Sequence, residues 1–194
     1  MKRIQCGAAL GCAGLALLTL AIPAAGSGTA RLIPLTQRVL GPGEFPGYVP
    51  GGVRVVTSPK TWSKANAFAT VADLREVGFV AAALTILRAT RRAYATSATS
   101  SVVEFGFHRG ALTYLLVFVS EYLRVTGVKR FAVPGVPGAY GIANVSTGGG
   151  TYDIVFVDGR FFYEVTAFTN DAAKPPSRAQ VAAAAARWHG RIHG

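Results

Sequence analysis

Tyr152-Asp153-Ile154-Val155-Phe156-Val157-Asp158-Gly159-Arg160-Phe161-Phe162-Tyr163-Glu164-Val165-Thr166-Ala167-Phe168 is the stretch from which the fold can be read. Two runs rich in β-branched and aromatic residues flank Asp158-Gly159, the preferred two-residue loop of a type I′ hairpin. Pairing Val157 with Arg160 puts Tyr152, Ile154 and Phe156 on one face with Phe161, Tyr163 and Val165. That apolar face requires a cover.

The last segment offers one. Ser177-Arg178-Ala179-Gln180 is a capping box, and Val181, Ala184, Ala185, Trp188 and Ile192 form one helical stripe behind it. On the opposite hairpin face the same register sets Asp153 against Glu164, about 5 Å apart at Cβ. Two carboxylates so placed repel unless a cation, a metal or a shared proton relieves them. The pair suggests a general acid/base couple or a calcium site. The plainer expectation is a solvated face on which nearby arginines neutralise both, because calcium takes six or more oxygens. Exposure of Val155 and Phe162 beside the pair would mark that face as a partner surface.

Working toward the N-terminus, Tyr140 to Ser146 and Lys129 to Val133 read as strands around the turn Pro134-Gly135-Val136-Pro137-Gly138. Arg109 to Val125 reads as a helix that is apolar around most of its circumference. Leu112, Leu115, Leu116, Val119, Tyr122 and Leu123 are expected to face the sheet. Ser101 to Phe107 alternates as a strand. Phe79 to Leu87 suits either a buried strand or a helix, and Arg88 to Ser100 a strand edge or loop. Thr61 to Val77 is expected as one helix ending at Gly78, after a short strand from Val53 to Thr57.

The fold class expected is therefore α+β: a mostly antiparallel sheet of about five to seven strands packed with three helices, in a single domain over 53–194. A ferredoxin-like βαββαβ core from Val53 to Val133 is the alternative topology. Ahead of the domain, residues 31–52 carry Pro34, Pro42, Pro46 and Pro50 with five glycines, which reads as an extended leader with Phe45, Tyr48 and Val49 available to pin it.

Residues 1–30 read as a signal peptide or membrane anchor. Lys2 and Arg3 precede an apolar run from Ile4 to Ile22, and Pro23, Ala24 and Gly26 favour cleavage over anchoring. Ala9-Leu10-Gly11-Cys12 resembles a lipobox, with Ala9 where that pattern prefers Leu. Cys6 and Cys12 are the only cysteines, so a processed chain would hold no disulfide and would depend on its core.

The formal charge is +11, or +9 without Lys2 and Arg3. Such a charge favours polyanions. Arg88, Arg91 and Arg92, with Arg124, Lys129 and Arg130, are the candidate ligand or polyanion site, facing anionic lipid headgroups or cell-wall polymer. Aromatic interleaving of the nucleic-acid-binding kind is absent, so no nucleic acid is expected.

There is no Gly-x-Ser-x-Gly elbow, and Gly148-Gly149-Gly150 does not sit between a strand and a helix. His189 and His193 are spaced i, i+4, but Gly190 weakens that helix and no further ligand lies nearby in sequence. No catalytic residue, metal or cofactor is therefore expected. Asn144-Val145-Ser146 is a glycosylation sequon whose use depends on the host.

Four segments carry a resemblance: Gly43-Glu44-Phe45-Pro46-Gly47-Tyr48, Leu74-Arg75-Glu76-Val77-Gly78-Phe79, Phe131 to Ala139, and Pro176-Ser177-Arg178-Ala179-Gln180-Val181. Together they resemble uncharacterised secreted or envelope proteins of high-GC actinobacteria, and are similar to PsbP/Mog1-like domains of envelope lipoproteins. The resemblance implies an exported α+β domain and carries over no activity. The function expected is that of a non-enzymatic, basic, secreted or envelope-associated protein binding a ligand, a protein partner or an anionic polymer. An exported hydrolase using Asp153 and Glu164 is the alternative.

Overall fold

Several segments carry large apolar residues on both sides of the strand, such as Ile154 and Phe156 on one and Val155 and Val157 on the other, and such a sheet must be covered on both faces. The computed structural model, which describes residues 33–66, 68–90, 97–146, 149–169 and 177–194, has such a sheet, with eight strands in an α+β fold. In chain order they are β1 (Tyr48–Pro50), β2 (Arg54–Val56), β3 (Phe79–Ala89), β4 (Ser97–Phe105), β5 (Lys129–Phe131), β6 (Tyr140–Ser146), β7 (Gly149–Asp158) and β8 (Phe161–Thr169). The helices are α1 (Pro59–Ala65), α2 (Val71–Glu76), α3 (His108–Leu123) and α4 (Arg178–His193).

Every strand pair is antiparallel, in the order β1-β3-β4-β8-β7-β6-β5, with β2 also on the outer edge of β3. α3 carries the chain from β4 to the far margin of the sheet, where β5 begins. From there β6, β7 and β8 return strand by strand until β8 closes on β4. The ferredoxin-like alternative is excluded, because β5 pairs with β6 at the margin instead of entering between the earlier strands.

The hairpin keeps its expected faces but not its register. Asp158 pairs with Phe161 and Val157 with Phe162, so Gly159-Arg160 is the loop. Gly159 has φ +55° and no described non-glycine residue has positive φ. A type I′ turn needs positive φ at both central positions, whereas type II′ needs it only at the first. Moving the pairing by two residues preserves side-chain parity. Ile154, Phe156, Tyr163 and Val165 accordingly share one core with Val181, Ala184, Ala185 and Trp188 of α4.

α4 begins as expected, with Ser177 Oγ accepting from the Gln180 N–H and Gln180 Oε1 from the Ser177 N–H. Its far end holds the Pro/Gly-rich segment. Over 33–52, Val39, Leu40, Phe45 and Tyr48 are buried in the same core, while Val49 is exposed. Arg191 reaches Glu44 Oε1 at 2.5 Å and donates to the carbonyls of Gln37 (2.6 Å) and Val39 (2.7 Å). Arg191→Ala would leave Glu44, only 8% exposed, without its cation and two carbonyls without donors. We expect a loss of about 2–4 kcal/mol in denaturant unfolding at neutral pH. An effect below about 0.5 kcal/mol would show that α4 does not anchor this segment.

The second face is covered too, which corrects two expectations. Val155 and Phe162 are fully buried rather than exposed, in a core beneath α3. The helix keeps Leu115 and Val119 inward as expected but is turned so that rings, not the other leucines, join them. Ala111, Tyr114, Leu115, Phe118 and Val119 are buried, whereas Leu112, Leu116 and Leu123 are exposed. The rings of Tyr114 and Phe118 lie 4.9 and 5.5 Å from that of Phe162, filling the space between helix and sheet better than leucines could.

Thr61 to Val77, expected as one helix, is two. α1 stops at Asn66, whose backbone is extended, and a second capping box, Thr70 with Asp73, starts α2. Between them Phe68 packs against Phe118 (5.0 Å) and Tyr122 (4.6 Å). Gly78 ends α2 at φ +73°, a conformation only glycine adopts freely.

Candidate functional site

The α3 face of the sheet carries polar residues where the helix no longer covers it. Ser101 of β4 stands opposite Glu164 of β8. One row along, Thr99 stands opposite Thr166, and Thr166 opposite Asp153 of β7. Asp153 and Glu164 are thus diagonal neighbours rather than direct partners, and they remain on one face because the register moved by an even number.

These residues floor a cleft of about 390 Å³. The α1–α2 connection with Trp62 and Phe68 forms one wall, Tyr122 of α3 a second, and Phe168 of β8 lies at the open end. Trp62 is fixed by an Nε1–H bond to Tyr114 Oη at 3.3 Å.

Glu164 is ringed by protein atoms but keeps an edge on the cleft. The Ser101 hydroxyl donates to its Oε2 at 2.9 Å and the Thr166 hydroxyl to its Oε1 at 3.3 Å. Asp153 lies behind, wholly inaccessible, and neither of its oxygens makes a hydrogen bond of ordinary geometry. The hydroxyls of Thr166, Thr151 and Tyr122 face it from further off and favour its charged form.

Burial dominates both titrations, since it penalises the charged carboxylate. It pushes Glu164 up to about 7, with the Asp153 charge raising it further and the Ser101 and Thr166 hydroxyls lowering it. It pushes Asp153 up to about 6 against the three hydroxyls. The two carboxyls titrate as a coupled pair, each charge opposing the other's, and the first proton taken up as pH falls belongs to the pair. Near neutral pH the pair holds about one proton, and burial raises Tyr122 strongly as well.

The arginines expected to neutralise this pair are elsewhere. Among the described residues no cation pairs with either carboxylate; the ion pairs are Arg124 with Glu121, Arg160 with Glu104, Arg191 with Glu44, and His193 with Asp158. No three His, Cys, Asp or Glu side chains among the described residues gather as a metal site. The His189 and His193 rings lie 4.2 Å apart on α4 with their planes tilted by 47°, and His108 sits against the Gly159 carbonyl oxygen at 2.5 Å.

The candidate basic residues are dispersed. Arg88 is exposed on β3 opposite Val49, and Arg124 lies at the end of α3 in its pair with Glu121. Lys129 and Arg130 are on β5, at the other margin of the sheet from β3 and β1. Successive strand residues point to opposite faces, and the Arg130 guanidinium lies 5.3 Å from the Tyr140 ring centre. Arg91 and Arg92 lie outside the described residues, as do the signal segment and its Cys12.

No family model matches the chain, and no curated protein matches it. Among solved structures the chain is similar to the extracellular domain of PknH from Mycobacterium tuberculosis, with 13% identity over 76% of this chain and 85% of that one, at a TM-score of 0.47. A likeness at that level decides neither family nor activity. The PsbP/Mog1 part of the sequence resemblance has no counterpart in these comparisons. No helix among the described residues is long and apolar enough to cross a membrane.

Tyr122, Ser101 and Thr166 complete the site; Tyr122 was expected to face the sheet, whereas Ser101 and Thr166 had no signal of their own in the sequence. Ser101 and Thr166 become neighbours of Glu164 only through the β4–β8 register. Tyr122 reaches the cleft from α3, whose Leu112, Leu116 and Leu123 turn outward.

Proposed function

We propose that this protein is an exported domain that binds a small, hydroxyl-rich, uncharged ligand, such as a sugar ring, in the cleft above Glu164. The observation that carries the reading is a carboxyl group titrating near neutrality at the floor of a cleft with aromatic walls. A half-protonated carboxyl with flanking hydroxyls both donates and accepts hydrogen bonds, while aromatic rings receive the C–H face of such a molecule. The negative charge shared by Asp153 and Glu164 disfavours anions there. The cationic, apolar, small-residue order of residues 1–30 supports export.

Calorimetric titration with a panel of oligosaccharides and polyols tests the proposal. Binding that weakens at least tenfold in Glu164→Ala and survives in Glu164→Gln is expected. A panel that binds nowhere, or binds equally well to Glu164→Ala, overturns it.

The second reading is hydrolysis, favoured by the two carboxyls whose values bracket the range useful for proton transfer. It predicts product release with a pH optimum between those values, lost in Glu164→Gln while binding persists. Binding without turnover supports the first reading over the second.

A further inference from the structure

A groove of about 530 Å³ runs between the chain after β5 and the first turns of α4, far in the fold from the carboxylate cleft. One wall is Phe131, Ala132 and Pro134, and the other Ala179, Ala182 and Ala183. It exists because α4 covers β7 and β8 and leaves the β5–β6 margin of the same face open. Its walls offer methyl groups, a proline ring and one aromatic ring, so its ligand must be apolar along most of its length.

One end is different. The groove shares Phe131 and Arg178 with a second cavity of about 280 Å³ that Lys129 also lines. The Arg178 guanidinium stands 5.9 Å from the Phe131 ring centre, at the junction of the two. Among the described residues no acidic side chain lines either cavity, and neither Lys129 nor Arg178 is in an ion pair. Three cationic side chains, Lys129, Arg130 and Arg178, at one end of an apolar slot select a molecule with charge at one end and hydrocarbon behind it.

We propose that this groove binds a detached single-chain amphiphile with an anionic head, its alkyl chain along the alanines of α4 and its head between Lys129 and Arg178. The concave slot suits one chain; a bilayer surface would call for a convex apolar patch. Arg130, next along the strand, lines the second cavity as well, its guanidinium 5.3 Å from the Tyr140 ring centre, and Arg178, distant in sequence, adds a further cation.

Titration with dodecyl phosphate below its micelle concentration, at low salt, tests the proposal on the whole protein. Saturable binding is expected, at least tenfold weaker in the Lys129→Ala/Arg178→Ala double variant and in Ala183→Glu. All three positions are exposed, so circular dichroism should show these variants folded. Dodecyldimethylphosphine oxide, with a neutral head that is no sugar, and inorganic phosphate alone should each bind at least tenfold more weakly. Glu164→Ala should bind dodecyl phosphate normally, which separates this site from the cleft. Equal binding of the neutral and anionic detergents, full binding by both variants, or capture by phosphatidylglycerol vesicles without binding of the monomer would each overturn the proposal.

Discussion

Acidification from pH 8 to pH 5 is expected to stabilise this protein, opposite to the usual behaviour of a domain held by surface carboxylates. The cause is the pair behind the cleft. Asp153 and Glu164 are raised from 3.8 and 4.5 to about 6 and about 7 by burial, so between pH 7 and about 4 the folded chain binds more protons than the unfolded one. Stability then falls as pH rises through that window, and the full penalty is present above pH 7. At 1.36 kcal/mol per unit, and with Glu164 keeping an edge on solvent, the swing is on the order of 3 kcal/mol. Asp153→Asn should therefore raise the melting temperature most at pH 8, by less at pH 5 and hardly at all near pH 3.5, flattening the dependence between. Thermal melts across this range decide the matter; a melting temperature that climbs steadily with pH would contradict the assignment.

Trp188→Ala should have the largest effect of any single change on α4. Trp188 is fully buried, stands edge-on to Phe156 at 5.5 Å and Tyr163 at 5.2 Å, and donates its Nε1–H to the Arg38 carbonyl at 2.6 Å. Removing it empties the centre of the core and strands that carbonyl. The expected cost is about 3–5 kcal/mol, a large share of the roughly 5–15 kcal/mol that holds a domain folded. Trp188→Phe keeps an aromatic body and loses the hydrogen bond, so it should cost about half as much. Equal losses in the two variants, measured by denaturant unfolding, would mean that the indole N–H and not the packing fixes this helix.

The difference between the two helices explains which parts of the fold were legible. α4 has alanines on its outer side and a sharp stripe of Val181, Ala184, Ala185 and Trp188 on its inner one, so periodicity named the buried face. α3 is apolar nearly all round, and periodicity cannot choose between Leu112-Leu116-Leu123 and Tyr114-Phe118. Ring packing against Phe162 makes that choice, and it is a tertiary fact. The break between α1 and α2 was signalled by Thr70 and Asp73, a capping pair as plain as Ser177 and Gln180, but the apolar spacing from Trp62 to Val77 overrode it.

The carboxylate site was half legible. Facing parity on a strand survives any even shift of register, so Asp153 and Glu164 were placed together despite a misassigned turn. Their burial was not legible, because it depends on α3 and the α1–α2 connection folding over the same face. The basic residues show the converse. Lys129 and Arg130 line one cavity from β5, and Arg178 joins them there only because α4 packs alongside, which sequence spacing does not show.

Both margins of the sheet are unusually short. β5 closes one with three residues, and at the other β1 and β2, three residues each, overlie β3, with Gly51 bonded to the Ile86 carbonyl between them. A neighbouring molecule therefore finds no long backbone ladder on which to dock a strand. For a chain without a cysteine beyond Cys12, that brevity is a built-in guard against fibril growth, supplied by geometry where covalent cross-links are missing.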